Sequence, residues 1–375
     1  MKQRIYLDHA ASSPLRPQAR SAMDEVWGLI GNPSSLHASG RHARRVLEES
    51  REQLAECLGA HPTEVVFTSG GTEANNLILL GALDARPDRP RVVIGDGEHP
   101  SVAGMAPRHP DRVDVLGLDA GGALAGDLSV IGAQTALVSV MTVNNETGVI
   151  HPLEAIRDAA HAAGAWLHTD AVQAFGHLPL NFVGAGVEAM TVTAHKVGGP
   201  VGIGALLLGR QVSLAAPGFG GGQERKLRSG TATTALAAGF AAAAGAAVAD
   251  REAEAERLGG LRKRLIGGIL DLVAGARVNG AEPISPAIVN VTIEGLRADD
   301  LLLILDAAGF DCSTGSACTA GVHQPSEVLL AMGRSVEQAS GSLRFSFGPS
   351  TDTAAIDSLL ANLPDAVARA QAAFA

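Results

Sequence analysis

Short runs of β-branched and apolar residues alternate along the chain with longer segments rich in alanine and leucine. This alternation is typical of strand-helix-strand units around a mostly parallel sheet. The pattern predicts strands at 64–68, 91–94, 136–143, 165–169, 188–193 and 203–208, and helices that include 39–58, 72–85 and 153–163. Ligands of such sheets bind beyond the carboxyl ends of the strands, so polar residues at those ends are the functional candidates.

A stretch of nearly continuous helical composition, residues 231–272, leads into a second region. There the pattern predicts strands at 287–293 and 342–347 and helices at 299–308 and 353–373. The chain is therefore expected to be an α/β protein with an additional, smaller α+β domain. We place the boundary inside the helical stretch, so that residues 14–252 form the large domain and residues 1–13 and 253–375 the small one.

Composition narrows the classes of partner. The chain has 375 residues, 46% of them hydrophobic, and a formal net charge of −10. A length of this order suits two domains, and the negative charge disfavours nucleic acid or a membrane surface as the main partner. A small ligand fits better. Three cysteines are a poor disulfide framework, and no long apolar run opens the chain, so a cytoplasmic location is predicted.

The motif Thr68-Ser-Gly-Gly-Thr-Glu73 follows a predicted strand and opens a predicted helix. Glycines let the main chain approach an anion, and the free N–H groups of a helix N-terminus favour phosphate. A tight turn with Thr72 as N-cap explains the same residues without any ligand. The motif alone leaves both interpretations open.

Two further strand ends carry candidate chemistry. Asp170 leaves one strand, with Gln173 three residues later, and Lys196 follows another. A carboxylate can keep a ring nitrogen protonated, and a desolvated lysine can form a Schiff base because burial lowers the pKa of its amine. A helix-capping Asp170 and a surface Lys196 are the plain alternatives.

Cys318 lies in a segment of small residues, Ser313-Thr-Gly-Ser-Ala-Cys-Thr-Ala-Gly321. Such a setting suits a reactive thiol better than a core residue, whereas Cys57 and Cys312 are interpreted as inert core residues. Cys312, Cys318 and His323 are near one another in sequence, but their spacing does not resemble that of structural zinc sites. No metal is therefore predicted.

A series of motifs, in order, resembles the cysteine desulfurases, pyridoxal-phosphate enzymes of fold type I and aminotransferase class V. The series spans nearly the whole chain and consists of Tyr6-Leu-Asp-His-Ala-Ala, Gly31-Asn-Pro-Ser-Ser-Leu-His37, Thr68 to Glu73, Asn144-Asn-Glu-Thr-Gly148, His168-Thr-Asp170, His195-Lys196, Arg228-Ser-Gly-Thr231, Gly315-Ser-Ala-Cys-Thr319 and Arg344-Phe-Ser346. The resemblance implies a large domain with a mostly parallel seven-stranded sheet flanked by helices.

The resemblance also implies roles for single residues. It places pyridoxal 5′-phosphate on Lys196, a proton-handling and stacking role on His99, the sulfur-accepting thiol on Cys318 and the substrate carboxylate on Arg344. The other residues that it implies for cofactor binding are Gly71, Thr72, Asn145, Asp170, Gln173, Thr193, His195 and, from the second subunit of a homodimer, Thr231.

The implied reaction takes sulfur from L-cysteine, leaves L-alanine and forms a persulfide on Cys318 for an acceptor protein such as an iron-sulfur scaffold. Gly198 and Val201 depart from the family, which has an aromatic and a second basic residue after the lysine. Two alternatives stay open: a related lyase that prefers selenocysteine, and a sulfur-carrier or scaffold-binding protein whose catalytic site has decayed.

Overall fold

The computed structural model describes residues 4–315 and 324–374. Its strands are β1 (Ile5–Tyr6), β2 (Val65–Thr68), β3 (Arg91–Gly95), β4 (Val113–Leu116), β5 (Thr135–Met141), β6 (Trp166–Asp170), β7 (Ala189–Thr193), β8 (Gly204–Leu208), β9 (Ala276–Asn279), β10 (Ile288–Ile293), β11 (Phe310–Asp311) and β12 (Ser342–Ser346). Its helices are α1 (Pro17–Trp27), α2 (Ala38–Cys57), α3 (Gly71–Ala85), α4 (Pro100–Ala103), α5 (Met105–Arg108), α6 (Leu153–Ala162), α7 (Phe182–Ala185), α8 (Thr234–Leu272), α9 (Ala298–Ala308), α10 (Glu327–Ala331), α11 (Val336–Ser340) and α12 (Thr353–Phe374).

Seven strands form the larger sheet in the order β2-β8-β7-β6-β5-β3-β4. Neighbouring strands are parallel except around β8, which is antiparallel to β2 and to β7. All seven residues of β5 are buried, as expected for a strand covered on both faces of its sheet. The seven-stranded, mostly parallel sheet predicted from the sequence is confirmed.

Two hydrophobic clusters cover the two faces of this sheet. Val65 and Phe67 point into one cluster and Val66 into the other, because successive side chains of a strand alternate between its faces. On the first face α1 packs closely on α8, where a Cβ on Gly239 would come within 2.6 Å of Met23. Both faces of the sheet are therefore covered, and the carboxyl ends of its strands remain available to bind ligands.

The smaller core is built around a three-stranded antiparallel sheet in the order β12-β10-β9, beside the parallel pair β1-β11. Helices α9 and α12 and the second half of α8 supply its apolar side chains. Helix α8 reaches both cores, since Phe240 belongs to one and Leu265 to the other. The domain boundary at residue 252 falls within this helix and stays a prediction.

Within the described ranges, no helix is both long enough and apolar enough to cross a membrane.

Candidate active site

A cavity of about 420 Å³ lies at the carboxyl ends of the strands of the larger sheet. Its volume is within the range usual for small-molecule sites. It is lined by most of the residues that the sequence singled out: Gly71, Thr72, His99, Asn145, Asp170, Gln173, Thr193, His195, Lys196 and Arg344. Residues spread over more than 270 positions of sequence therefore meet in one pocket.

Lys196 follows β7 and turns its amine towards the N-terminal segment. Nζ donates to the main-chain carbonyl oxygens of Ala10 and of Ala11, the latter at 2.7 Å. Burial, helped by the positive charge of Arg344, lowers the pKa of Lys196 to about 8. An amine with this pKa is neutral far more often at physiological pH than an ordinary lysine, and a neutral amine can act as a nucleophile.

Asp170 ends β6 and is buried. Its Oδ1 accepts a hydrogen bond from the main-chain N–H of Val172 at 2.9 Å, and its Oδ2 accepts one from Asn75 Nδ2 at 2.7 Å. Gln173, one turn further on, donates from Nε2 to the carbonyl oxygen of Ala10 at 2.9 Å. The carboxylate is thus fixed within the same cavity as the lysine.

Gly71 and Thr72 form the N-terminus of α3, a helix of 15 residues. The preceding turn lies tightly against β8, because a Cβ on Gly204 would meet the main chain of Gly70 at 2.8 Å. Free N–H groups at this helix end, with the hydroxyls of Thr72 and Thr193 in the same lining, suit a phosphate group.

The carboxylate of Glu73 links the turn before α3 to the segment that contains Arg228. It accepts hydrogen bonds from the main-chain N–H of Ser69 and, at 3.1 Å, from Arg228 Nε. Burial opposes ionisation of Glu73, but these hydrogen bonds outweigh it and lower the pKa of the carboxyl group. Arg228 belongs to the segment that ends at Thr231, which is exposed and lies outside this pocket.

Arg344 reaches the cavity from β12, in the smaller sheet. Its side chain is only 5% exposed, and it donates from Nη2 to Asp8 at 2.7 Å and from Nη1 to the carbonyl oxygen of Asn145 at 2.9 Å. Its Nε is buried without a partner among the described residues. A guanidinium held in this way presents directional donors to a carboxylate.

His99 follows β3 and caps the N-terminus of α4. Its Nδ1 accepts from the main-chain N–H of Ser101 at 3.1 Å and lies 2.8 Å from Ser101 Oγ. Desolvation by the surrounding protein lowers the pKa of His99; the negative charge of Asp170 opposes this effect and the positive charge of Lys196 adds to it. The pKa of His195 is lowered to about 4, chiefly by burial.

Several groups of the site were not singled out from the sequence. Glu98 is fully buried, and its burial raises the pKa of the carboxyl group well above the ordinary value. Burial also raises the pKa of Glu146, which accepts a hydrogen bond from Ser326. A Cβ on Gly315 would come within 2.8 Å of Glu146. Glu146 therefore contacts the chain on both sides of residues 316–323.

Cys318 and His323 lie outside the described residues. Cys312 packs against the smaller core, where burial raises the pKa of its thiol to about 12. Cys57 packs against the larger core, and burial raises the pKa of its thiol as well. Neither thiol provides appreciable thiolate near neutral pH. Within residues 4–315 and 324–374, no group of three or more His, Cys, Asp and Glu side chains is placed to hold a metal ion.

The donor set of the cavity fits pyridoxal phosphate. A phosphate-binding helix end, a lysine of lowered pKa and a buried carboxylate converge on one space, and these are the three groups that this cofactor requires.

Comparison with known proteins gives one family. The model of the family "Aminotransferase class-V" matches residues 5–359. An "IscS-like cysteine desulfurase" of Mycobacterium tuberculosis is 47% identical over 382 residues, which cover 98% of this chain and 97% of the relative. A cysteine desulfurase of Gluconacetobacter diazotrophicus is 38% identical over 374 residues, 97% of this chain and 94% of the relative.

Solved structures agree with these relatives. A NifS-like protein superposes with a TM-score of 0.90 at 29% identity, covering 98% of this chain and all of the other. The structure of SspA in complex with cysteine gives a TM-score of 0.80 at 31% identity, covering 92% of this chain and 99% of the other.

Proposed function

The chain belongs to the aminotransferase class-V family, within which it is a cysteine desulfurase, and we propose the residues by which it works. Pyridoxal 5′-phosphate is the proposed cofactor, attached to Lys196, and L-cysteine is the proposed substrate. The observation that carries the proposal is the meeting of Lys196, Asp170 and Arg344 in one cavity. The relative solved in complex with cysteine supports the choice of substrate.

When bound, pyridoxal phosphate supplies an electron sink for the negative charge that develops beside the substrate's amino group. Asp170 would accept the N–H of the cofactor ring, and Gln173 and Asn145 would bind its phenolic oxygen. Gly71, Thr72, Thr193 and His195 would hold the phosphate, joined by Thr231 of the partner subunit in a homodimer. Lys196, with its lowered pKa, supplies the amine.

Arg344 binds the carboxylate of L-cysteine through a guanidinium that Asp8 and Asn145 hold in place. His99, in the lining of the cavity, forms hydrogen bonds with the reacting groups. With the carboxylate and the amino group fixed at two points, the substrate sulfur is directed to one position.

Cys318 is proposed as the sulfur acceptor. Gly315, three residues before it in the sequence, lines the cavity. The thiolate sulfur forms a bond to the substrate sulfur while the substrate's carbon-sulfur bond breaks and the carbon takes up a proton. Cys318–SH and L-cysteine thus become Cys318–S–SH and L-alanine, and an acceptor protein, such as an iron-sulfur scaffold, later removes the outer sulfur.

A homodimer accounts for exposed apolar side chains near the segment that carries Thr231. Ile30 and Leu36 are 87% and 89% exposed, and they flank Asn32 to Ser34, which share a cavity with Gln223 and Ala232. Phe219, four residues before Gln223, is fully exposed. Large apolar side chains clustered in this way are typical of a protein interface. A cytoplasmic location stays a prediction that rests on the sparse cysteines.

The experiment that tests the proposal measures L-alanine formed from L-cysteine while the modified residue is trapped by alkylation and located by mass spectrometry. Cys318→Ser should reduce alanine and persulfide formation to background and keep the cofactor's colour. Cys312→Ser is the matched control and should keep both. Sulfide release at the normal rate from Cys318→Ser would show that another nucleophile accepts the sulfur. L-Selenocysteine, assayed in parallel, tests the alternative substrate.

A further inference from the structure

One amide links Asp170 and His99, two side chains that line the cavity. Asn75, on α3, is 1% exposed. Its Nδ2 donates to Asp170 Oδ2 at 2.7 Å and to Ser101 Oγ at 2.9 Å. Ser101 Oγ in turn lies 2.8 Å from His99 Nδ1. A continuous chain of hydrogen bonds therefore runs from Asp170 through Asn75 and Ser101 to His99.

The direction of these hydrogen bonds follows from their donors. An ionised carboxylate only accepts hydrogen bonds, so the nitrogen of the Asn75 amide must face Asp170. An amide nitrogen has two hydrogens, and both are used, one on Asp170 and one on Ser101. The amide oxygen, Oδ1, is buried without a partner among the described residues. Burying an acceptor without a hydrogen bond destabilises the folded protein. This cost indicates that the placement of the two N–H groups has a function.

Two donors then converge on one nitrogen of His99. Since Ser101 Oγ accepts from Asn75, its own hydrogen is directed to His99 Nδ1. The main-chain N–H of Ser101 points to the same atom at 3.1 Å and can only donate. Nδ1 must therefore present a lone pair, and a neutral imidazole with a bare Nδ1 has its proton on Nε2.

We infer that Asn75 is a positioning residue which, through Ser101, fixes neutral His99 in the Nε2-protonated tautomer, so that the histidine offers the pocket a hydrogen-bond donor and no lone pair. The same amide holds the carboxylate of Asp170. One side chain thus orients both groups.

The consequence for catalysis rests on the proposed function. A neutral His99 in this tautomer cannot take a proton at Nε2, so it donates to a developing negative charge. The amine of Lys196, whose pKa is lowered to about 8, is then the group of the cavity suited to accept the substrate's α-proton.

The test reads the tautomer directly, in full-length protein labelled with ¹⁵N in its histidine rings, both loaded with pyridoxal phosphate and free of it. In the unmodified protein the Nδ1 signal of His99, assigned with His99→Gln, should be that of an unprotonated nitrogen at neutral pH. A protonated Nδ1 would overturn the inference. The cofactor-free sample gives this answer even if the protein binds no pyridoxal phosphate, so failure of the proposed function is seen separately.

Substitutions test the role of the amide. Asn75→Asp gives Ser101 an acceptor, so the hydroxyl hydrogen is drawn away from His99 Nδ1 and the pKa of His99 should rise by about one unit, a tenfold change in proton affinity. The charged groups that face His99 are Asp170 and Lys196, and both are kept. Asn76→Asp is the matched control: Asn76 is exposed, bonds to the Thr72 carbonyl, and should shift the pKa much less.

Ser101→Ala covers the case in which Asn75→Asp does not fold. It removes one donor from Nδ1 without adding charge, so the pKa of His99 should rise while the main-chain N–H of residue 101 keeps Nδ1 unprotonated. A His99 that titrates as in the unmodified protein in both Asn75→Asp and Ser101→Ala would show that this chain does not position it.

Discussion

Arg344, which lines the cavity, forms an ion pair with Asp8, with Nη2 of the arginine 2.7 Å from Oδ1 of the aspartate. The arginine side chain is buried, whereas that of Asp8 keeps 21% of its surface exposed. Asp8 therefore has two opposite effects on a substrate carboxylate. It orients the guanidinium, and it neutralises the charge that the substrate needs.

Asp8→Asn separates these two effects, because the amide oxygen still accepts from Arg344 while the negative charge is gone. We expect the KM for L-cysteine and the inhibition constant of the product L-alanine to fall together by roughly tenfold, equivalent to about 1.4 kcal/mol. Steady-state kinetics of alanine formation measure both. Asp357→Asn is the control: it removes an equal charge from an exposed pair with Arg264 and should change neither constant. Weaker binding of L-cysteine by Asp8→Asn would contradict the prediction and would mean that Asp8 acts mainly by orienting the guanidinium of Arg344.

Lys196→Ala should abolish the visible absorption band of bound pyridoxal phosphate, because the amine that holds the cofactor is lost. The described residues include two other lysines, Lys226 and Lys263. Lys263→Ala removes an exposed lysine from α8 and should leave the band unchanged. Absorption spectra of both variants, recorded after reconstitution with the cofactor, measure this. An unchanged spectrum for Lys196→Ala would remove the assignment of the cofactor to this residue.

Six of the seven strands of the larger sheet were predictable from the pattern because they are apolar runs, whereas the count of seven came from the family resemblance. The pattern missed the two-residue strands β1 and β11. It also missed β4 and β9, which are half-exposed edges. Their apolar residues alternate with Asp114 and Arg277, which pair with Arg91 and Glu294. Charged residues are common on edge strands, and they interrupt the apolar pattern on which the prediction depends.

The residues of the site also divide into those that the sequence could identify and those that it could not. Lys196 and Asp170 could be found because each belongs to a motif at the end of a strand. Arg344, in the middle of β12, was found through the family resemblance. Asn75 could not be found, since an asparagine inside a helix has no local signal and its partner Asp170 is 95 residues away. The carbonyl oxygen of Ala10, which accepts from both Lys196 and Gln173, is a main-chain atom and is independent of residue type.

Acid should destabilise the fold through His168, which has no exposed surface. Its Nδ1 lies 2.8 Å from Ser139 Oγ and its Nε2 2.9 Å from Thr191 Oγ1. Burial lowers its pKa from 6.5 to about 3. Between these two values the unfolded chain binds a proton at this residue and the folded protein does not, so stability that is present above pH 6.5 is lost as the pH falls.

From the shift at His168, the free energy of unfolding should fall by about 3 kcal/mol between pH 7.5 and pH 4.5. The free energy of unfolding of His168→Gln should fall correspondingly less over this pH range, whatever its value at pH 7.5. Urea unfolding at both pH values measures the difference. His42→Gln, which replaces an exposed histidine, should keep the full loss. An equal loss in His168→Gln would contradict the assignment to this residue.

A strained turn leads into the segment that ends at Thr231. Glu224, Arg225 and Lys226 have φ values of 42°, 56° and 62°, in the left-handed region that residues other than glycine avoid. Glu224 fixes the turn through two 2.8 Å hydrogen bonds from Arg51 and one from the main-chain N–H of Phe67. The ion pair is almost completely buried, so the surrounding structure stabilises a conformation that the turn itself disfavours.

Lys226→Gly should therefore stabilise the protein. The left-handed conformation costs a non-glycine residue about 1–2 kcal/mol, and the extra entropy of glycine in the unfolded chain offsets about 0.5–1 kcal/mol of that. A net gain of about 0.5–1 kcal/mol in the free energy of unfolding follows, measurable by urea denaturation. Lys263→Gly removes the same side chain from the interior of α8 and should instead cost about 1 kcal/mol. Losses of equal size in both variants would show that the turn is not strained at Lys226.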